Sequence, residues 1–164
     1  MPLILGIDPG VSGAFALIDS DTKELILVES VKSKVDFLAY NTIKDILATN
    51  DIEQAYMEDV GPMPWDSKQA IWTFASSVGA VDLALAWTST PVIKIKPQKW
   101  QIKLGVAKRY DTKVLRKQAF WNYAVSQYPN AKIKLPQADA VLIAMYGVMD
   151  YNKETVWNKF SEEI

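Results

Sequence analysis

The run Leu3-Ile4-Leu5-Gly6-Ile7-Asp8-Pro9-Gly10 constrains this chain more than any other stretch. Apolar residues and one glycine lead into a lone acid, and Pro-Gly then breaks the run. This predicts a buried strand that presents Asp8 at its exposed end, followed by a tight turn. A second apolar run, Gly13 to Ile18, follows closely enough to pair with the first as a hairpin. Asp8 then has two readings. It is either a turn-capping Asp ahead of Pro-Gly or a metal ligand or general base on a rigid scaffold, and acidic partners elsewhere must decide.

Composition narrows the chemistry. The chain has 164 residues, about half of them apolar, which predicts one compact domain over 1–164 with a sizeable core. It contains neither cysteine nor histidine. That excludes Ser-His-Asp and Cys-His mechanisms and the usual imidazole and thiolate zinc sites. Chemistry must fall to carboxylates, lysines, tyrosines or a hard metal ion held by oxygen. No run approaches the length of a membrane span, so no membrane partner is expected.

The net charge of −1 conceals segregation. Residues 1–91 carry 5 basic and 13 acidic side chains, whereas 92–134 carry 11 basic residues and only Asp111 as an acid. Such a division suggests a polyanion site beside a metal site, or else a solvated, lysine-rich helix face.

Taken in order, the pattern predicts a third strand over Glu24–Val31 and an amphipathic helix over 34–49, where Val35, Leu38, Ile43, Ile46 and Leu47 recur at helical spacing. A short strand over Gln54–Val60 carries Glu58 and Asp59, and Gly61 to Trp65 must be a loop at its end. A long helix over Ser67–Trp87, a strand over Pro91–Lys96 ended by Pro97, and a helix capped by Asp111 or Thr112 follow. A final strong helix begins near Gln137, and 151–164 form a polar terminal helix or tail. Strands interleaved with helices read as α/β with a mixed five-stranded sheet flanked by helices.

Asp8 and Glu58 both reach the edge of such a sheet from buried strands, the edge where α/β active sites form. Asp139 is a third acid, one turn into the apolar helix Ala138-Asp139-Ala140-Val141-Leu142-Ile143-Ala144. It is also a favourable acid at a helix start on its own account. Asp59 points to the other face of its strand. Three acids at strand and helix ends, without His or Cys, favour a magnesium site for phosphoryl chemistry.

Gly6-Ile7-Asp8-Pro9-Gly10, the strand-end Glu58 before a long helix, and Asp139 to Ala144 together resemble RuvC-type Holliday junction resolvases of the RNase H-like fold, in particular the phage-encoded branch. The resemblance spans roughly residues 3–149. It implies that Asp8, Glu58 and Asp139 are catalytic ligands for magnesium, with manganese able to substitute and two ions per site. It further implies a homodimer that nicks opposing strands of a four-way DNA junction, leaving 5′-phosphate and 3′-hydroxyl ends, without a nucleotide cofactor. A cytoplasmic location is expected, that of the host if the protein is phage-encoded. Two departures stand out: the turn Val11-Ser12 is shorter than in cellular RuvC, and Pro136 stands where that family has a further acid or histidine before the aspartate. Gln137 is the nearest polar side chain that can replace it, expected at the helix N-cap as a metal or metal-water ligand.

The basic stretch supplies the expected DNA contacts. Lys113 matches a basic RuvC residue by spacing, and Lys99, Lys103, Lys108, Arg109, Arg116 and Lys117 are further phosphate candidates. Met63 and Trp65 either stack on junction bases or pack on the domain's own surface. The rival functions are an RNase H-like nuclease acting on flaps, other branched DNA or RNA–DNA hybrids, a sugar-kinase or actin-like ATPase, and a non-catalytic junction binder. The ATPase needs a second lobe for which 164 residues leave no room.

Overall fold

The computed structural model describes residues 1–31 and 40–162, the last nine of these by backbone alone. Five strands form one sheet in the order β3-β2-β1-β4-β5: β1 Leu3–Asp8, β2 Ala14–Asp19, β3 Leu25–Ser30, β4 Ile52–Glu58 and β5 Val92–Ile95. β1 pairs antiparallel with β2 and parallel with β4; β3 is antiparallel to β2, and β5 is parallel to β4. The sheet is therefore mixed, as its sequence order implies. β4 starts and ends two residues earlier than expected, so Glu58 is its last residue.

Side-chain alternation sends the two faces of each strand into different cores. Leu5, Ile7, Phe15, Leu17, Ala55 and Met57 pack with helices α1 (Tyr40–Thr49) and α2 (Lys68–Trp87). Ile4, Ala16, Ile18, Tyr56 and Ile95 pack on the other face, beneath α3 (Pro97–Lys103), α4 (Lys113–Gln127) and α5 (Ala138–Glu162). The expected beginning of the first helix, with Val35 and Leu38, lies outside the described residues.

α5 crosses β1 with its backbone against Gly6: a Cβ there would stand 2.3 Å from Ala144 N and 2.4 Å from Ala140 O. Glycine at 6 is thus a packing requirement, and it sets the start of α5 beside the end of β1.

Ser67 and Thr112 cap α2 and α4, their hydroxyls accepting from Ala70 N at 3.1 Å and Leu115 N at 3.2 Å. Pro97 ends β5 as expected but also opens α3, a helix the periodicity did not disclose. Proline in the first helical turn loses no hydrogen bond. Residues 151–162 continue α5 rather than forming a separate segment.

One expectation is corrected. α2 has 20 residues, and an 18-residue window within it has a mean hydropathy of 1.4, long and apolar enough to cross a membrane by length and composition. Its small, aromatic and hydroxyl residues form no unbroken apolar run, which hid that length in the sequence. Val81, Ala84 and Leu85 of this helix lie in the sheet core, and Asp82 pairs with Lys94 of β5 at 2.7 Å.

Candidate active site

Asp8 is two residues beyond Gly6 on β1, and Glu58 two beyond Tyr56 on β4, so strand alternation turns both acids to the α5 face. The parallel register Ile7↔Met57 places them side by side at the strand ends. The backbone approach of α5 at Gly6 then brings Asp139 to the same edge. All three acids line one cleft of about 450 Å³, together with Met63, Lys113, Arg116, Lys117 and Phe120.

The acids act on one another. The Asp8 carboxyl is pushed up to about 8, first by burial and then by Asp139, against the pull of Lys117. Glu58 is also raised, chiefly by burial, with Asp139 adding to it and the Trp100 hydrogen bond opposing it.

Each of two acids has one oxygen engaged by the protein. Trp100 Nε1 donates to Glu58 Oε1 at 3.0 Å, and Lys117 Nζ donates to Asp139 Oδ2 at 2.5 Å. Asp139 Oδ1 is buried without a hydrogen-bond partner. An orphaned carboxylate oxygen among mutually repelling acids is an environment that a hard divalent cation would relieve, so the donor chemistry fits magnesium. Among the described residues, however, no three acidic side chains stand close enough to grip one ion as they are.

Trp100 was not legible as a site residue. It is fully buried on α3, edge-on to Phe120 at 5.3 Å between ring centroids, and Phe120 is edge-on to Tyr110 at 6.1 Å. The signal that could have found it was Pro97 as a helix start, with Trp100 and Leu104 one turn apart behind it.

The other expected site residues separate. Lys113, Arg116 and Lys117 face the cleft from one side of α4, at positions i, i+3 and i+4. Lys108 lines an adjoining groove with Tyr110, Thr112, Lys113 and Arg116, whereas Arg109 is exposed and lines neither. Lys99 lies over the Tyr146 ring at 5.8 Å, two turns along α5 from Asp139. Lys103 sits beside Lys153, about 14 helical residues or roughly 21 Å along α5 from Asp139, too far to share the cleft. Met63 reaches the cleft; Trp65 does not, and at 79% exposure it is not packed on the domain's own surface. Asp59 points away and pairs with Lys96 at 2.8 Å, as its strand position predicts.

Gln137 corrects an expectation. It lies in a 3₁₀ turn, Leu135–Gln137, before α5. Its Oε1 accepts from Lys134 N at 2.8 Å, so the buried side chain folds back on the turn and does not line the cleft. Pro136 is the second residue of that turn, and Gln137 ends it rather than standing at the N-cap of α5.

No protein-family model and no curated protein sequence matches the chain. Solved structures do. Thermus thermophilus RuvC in complex with a Holliday junction substrate superposes with a TM-score of 0.66 at 17% identity, covering 89% of this chain and 92% of that one. The fowlpox virus resolvase with junction DNA gives 0.56 at 16% identity, over 90% and 99%. The yeast mitochondrial Holliday junction resolvase Ydc2 gives 0.57 at 10% identity, over 98% and 83%. At these identities the likeness is one of fold: the sheet and its helices have the RNase H-like architecture of RuvC-type resolvases.

Proposed function

We propose that the chain is a divalent-metal-dependent, structure-selective DNA endonuclease that resolves four-way junctions by paired, symmetric nicks, leaving 5′-phosphate and 3′-hydroxyl ends. The observation that carries this reading is the convergence of Asp8, Glu58 and Asp139 on one cleft that is also lined by the basic side of α4. Acids in such number repel a phosphodiester unless cations stand between them, and the adjoining lysine and arginine side chains attract it.

Asp8, Glu58 and Asp139 would hold magnesium or manganese. Such ions, when bound, supply Lewis-acid activation of the phosphate and of the attacking water. Trp100 holds Glu58 by one oxygen and leaves the other for the cleft. Lys113 and Arg116 position the backbone, with Lys108 extending the phosphate track along the adjoining groove. Met63, which lines the cleft, and exposed Trp65 on the same loop after Glu58 would meet bases at the branch point.

Two opposing strands require two sites, and a homodimer through the exposed apolar side of α2 supplies them. The test is a labelled four-way junction incubated with and without magnesium, with the nicks mapped, beside flaps, linear duplex and RNA–DNA hybrid. Paired nicks symmetric about the branch, lost in Asp8→Asn, Glu58→Gln and Asp139→Asn while junction binding persists, are expected. Preferred cleavage of flaps or hybrids would redirect the reading to another RNase H-like nuclease, and degradation from ends would overturn it.

A further inference from the structure

Of the three basic side chains that α4 turns to the cleft, Lys117 alone is ion-paired with an acid among the described residues. Its Nζ and Asp139 Oδ2 are 2.5 Å apart, with the two side chains only 27% and 10% exposed. The pair satisfies half of Asp139, since Oδ1 is buried and bonded to nothing. Lys117 also stands among the charges that act on Asp8 and Glu58. Lys113 acts on Asp8 and Arg116 on Glu58 as well, but Lys117 alone acts on both and is ion-paired with the third acid.

Beside it on α4, a different partner is prepared for the same side chain. Arg116 Nε is buried without a hydrogen-bond partner, and Lys113 and Arg116 line both the cleft and the adjoining groove. Orphaned guanidinium hydrogen and clustered positive charge attract an anion such as a phosphodiester. The lysine stem is flexible enough to swing its head between an internal acid and an anion at the cleft mouth. Asp139 Oδ2 cannot serve the ammonium and a divalent cation together, because the two cations repel at that spacing.

We propose that Lys117 is the resident counter-ion of the carboxylate site, exchanged for a divalent cation when a DNA phosphate arrives to receive its ammonium. This rests on the nuclease reading above. Metal and DNA then load together: DNA raises metal affinity by drawing Lys117 outward, and metal raises DNA affinity by the same factor. Without DNA the acids stay paired internally, in keeping with their standing too far apart to grip one ion.

The test is manganese binding to wild type and Lys117→Met, by calorimetry or by electron paramagnetic resonance of the free ion, alone and with a linear DNA duplex. The duplex supplies phosphates without a branch point. Lys117→Met should bind manganese roughly tenfold more tightly than wild type when DNA is absent, the scale of one partly buried ion pair. The duplex should tighten manganese binding to wild type and leave the variant unchanged. A folded variant, judged by its melting curve, that binds manganese no better than wild type overturns the proposal.

Should Lys117→Met not fold, the wild type decides. The Lys117 ammonium resonance should lose its protection from exchange as magnesium is added with duplex. A resonance that stays protected while metal binds overturns the exchange. Absence of manganese binding by either protein, with or without DNA, instead defeats the metal-site reading itself.

Discussion

On one face of the sheet α5 lies in backbone contact with β1, and Ala138, Ala140 to Ala144 and Val148 are all buried. On the other face α2 buries Ser77, Val81, Ala84 and Leu85 but leaves Trp72 71% and Trp87 87% exposed. Both helices are apolar enough to be core helices, yet only α5, over residues 138–148, is covered by its own chain. The three candidate acids sit on the closely packed side, where strand and helix meet in contacts that tolerate no extra atom. The lightly packed side carries the surface proposed above for a second copy. The two faces of one sheet thus differ in how closely their helices are held.

The sharpest test of that contrast uses glycines. Gly6→Ala places a methyl on the α5 backbone and should cost about 3 kcal/mol or more, whereas Gly79→Ala in α2, whose Cβ would meet nothing within 4 Å, should stabilise by about 0.5–1 kcal/mol. Denaturant unfolding of the two variants checks this. Similar effects from both would dissolve the distinction between the faces.

Next in size is Trp100→Phe, which keeps a ring against Phe120 but removes the donor to Glu58. A loss of roughly 1–3 kcal/mol in stability is expected, together with a higher metal requirement for cleavage. A metal titration matching wild type would show that Glu58 is placed by its strand alone.

Asp8 adds a pH signature to the closely packed side. Its carboxyl is raised from 3.8 to about 8, by burial first and Asp139 second, so the folded metal-free protein holds a proton that the unfolded chain has released. Stability must then fall as pH rises from about 4 to about 8. Asp8→Asn should raise the melting temperature in chelator at pH 8 by several degrees and do little near pH 4. An equal shift at both pH values would trace the penalty to another group.

The smallest effect on stability belongs to α2. Trp72→Lys combined with Trp87→Lys should move monomer stability by no more than about 0.5 kcal/mol. Sedimentation should nevertheless show the proposed dimer in the wild type and its dissociation in the double variant. A dimer that survives both changes would mean that the exposed side of α2 is not its interface.

The sequence by itself determined what depends on local pattern. The apolar run ending in Asp8, the caps Ser67 and Thr112, the α/β order of strands and helices, and the absence of His and Cys are all legible because turn chemistry, periodicity and residue type act over a few positions. Even the opposite orientations of Glu58 and Asp59 follow from a period of two. Contacts across long stretches of chain were decided only by tertiary structure. Gln137, polar and two residues from Asp139, was a candidate ligand in the sequence, and the turn Leu135–Gln137 directs its Oε1 to Lys134 N. Trp100 had no visible link to Glu58, 42 residues away, until α3 packed beneath the cleft. Lys103 and Lys117 are alike as lysines in one basic stretch, but one ends beside Lys153 and the other on Asp139. Composition carries charge along the chain, and only packing assigns each charge its partner.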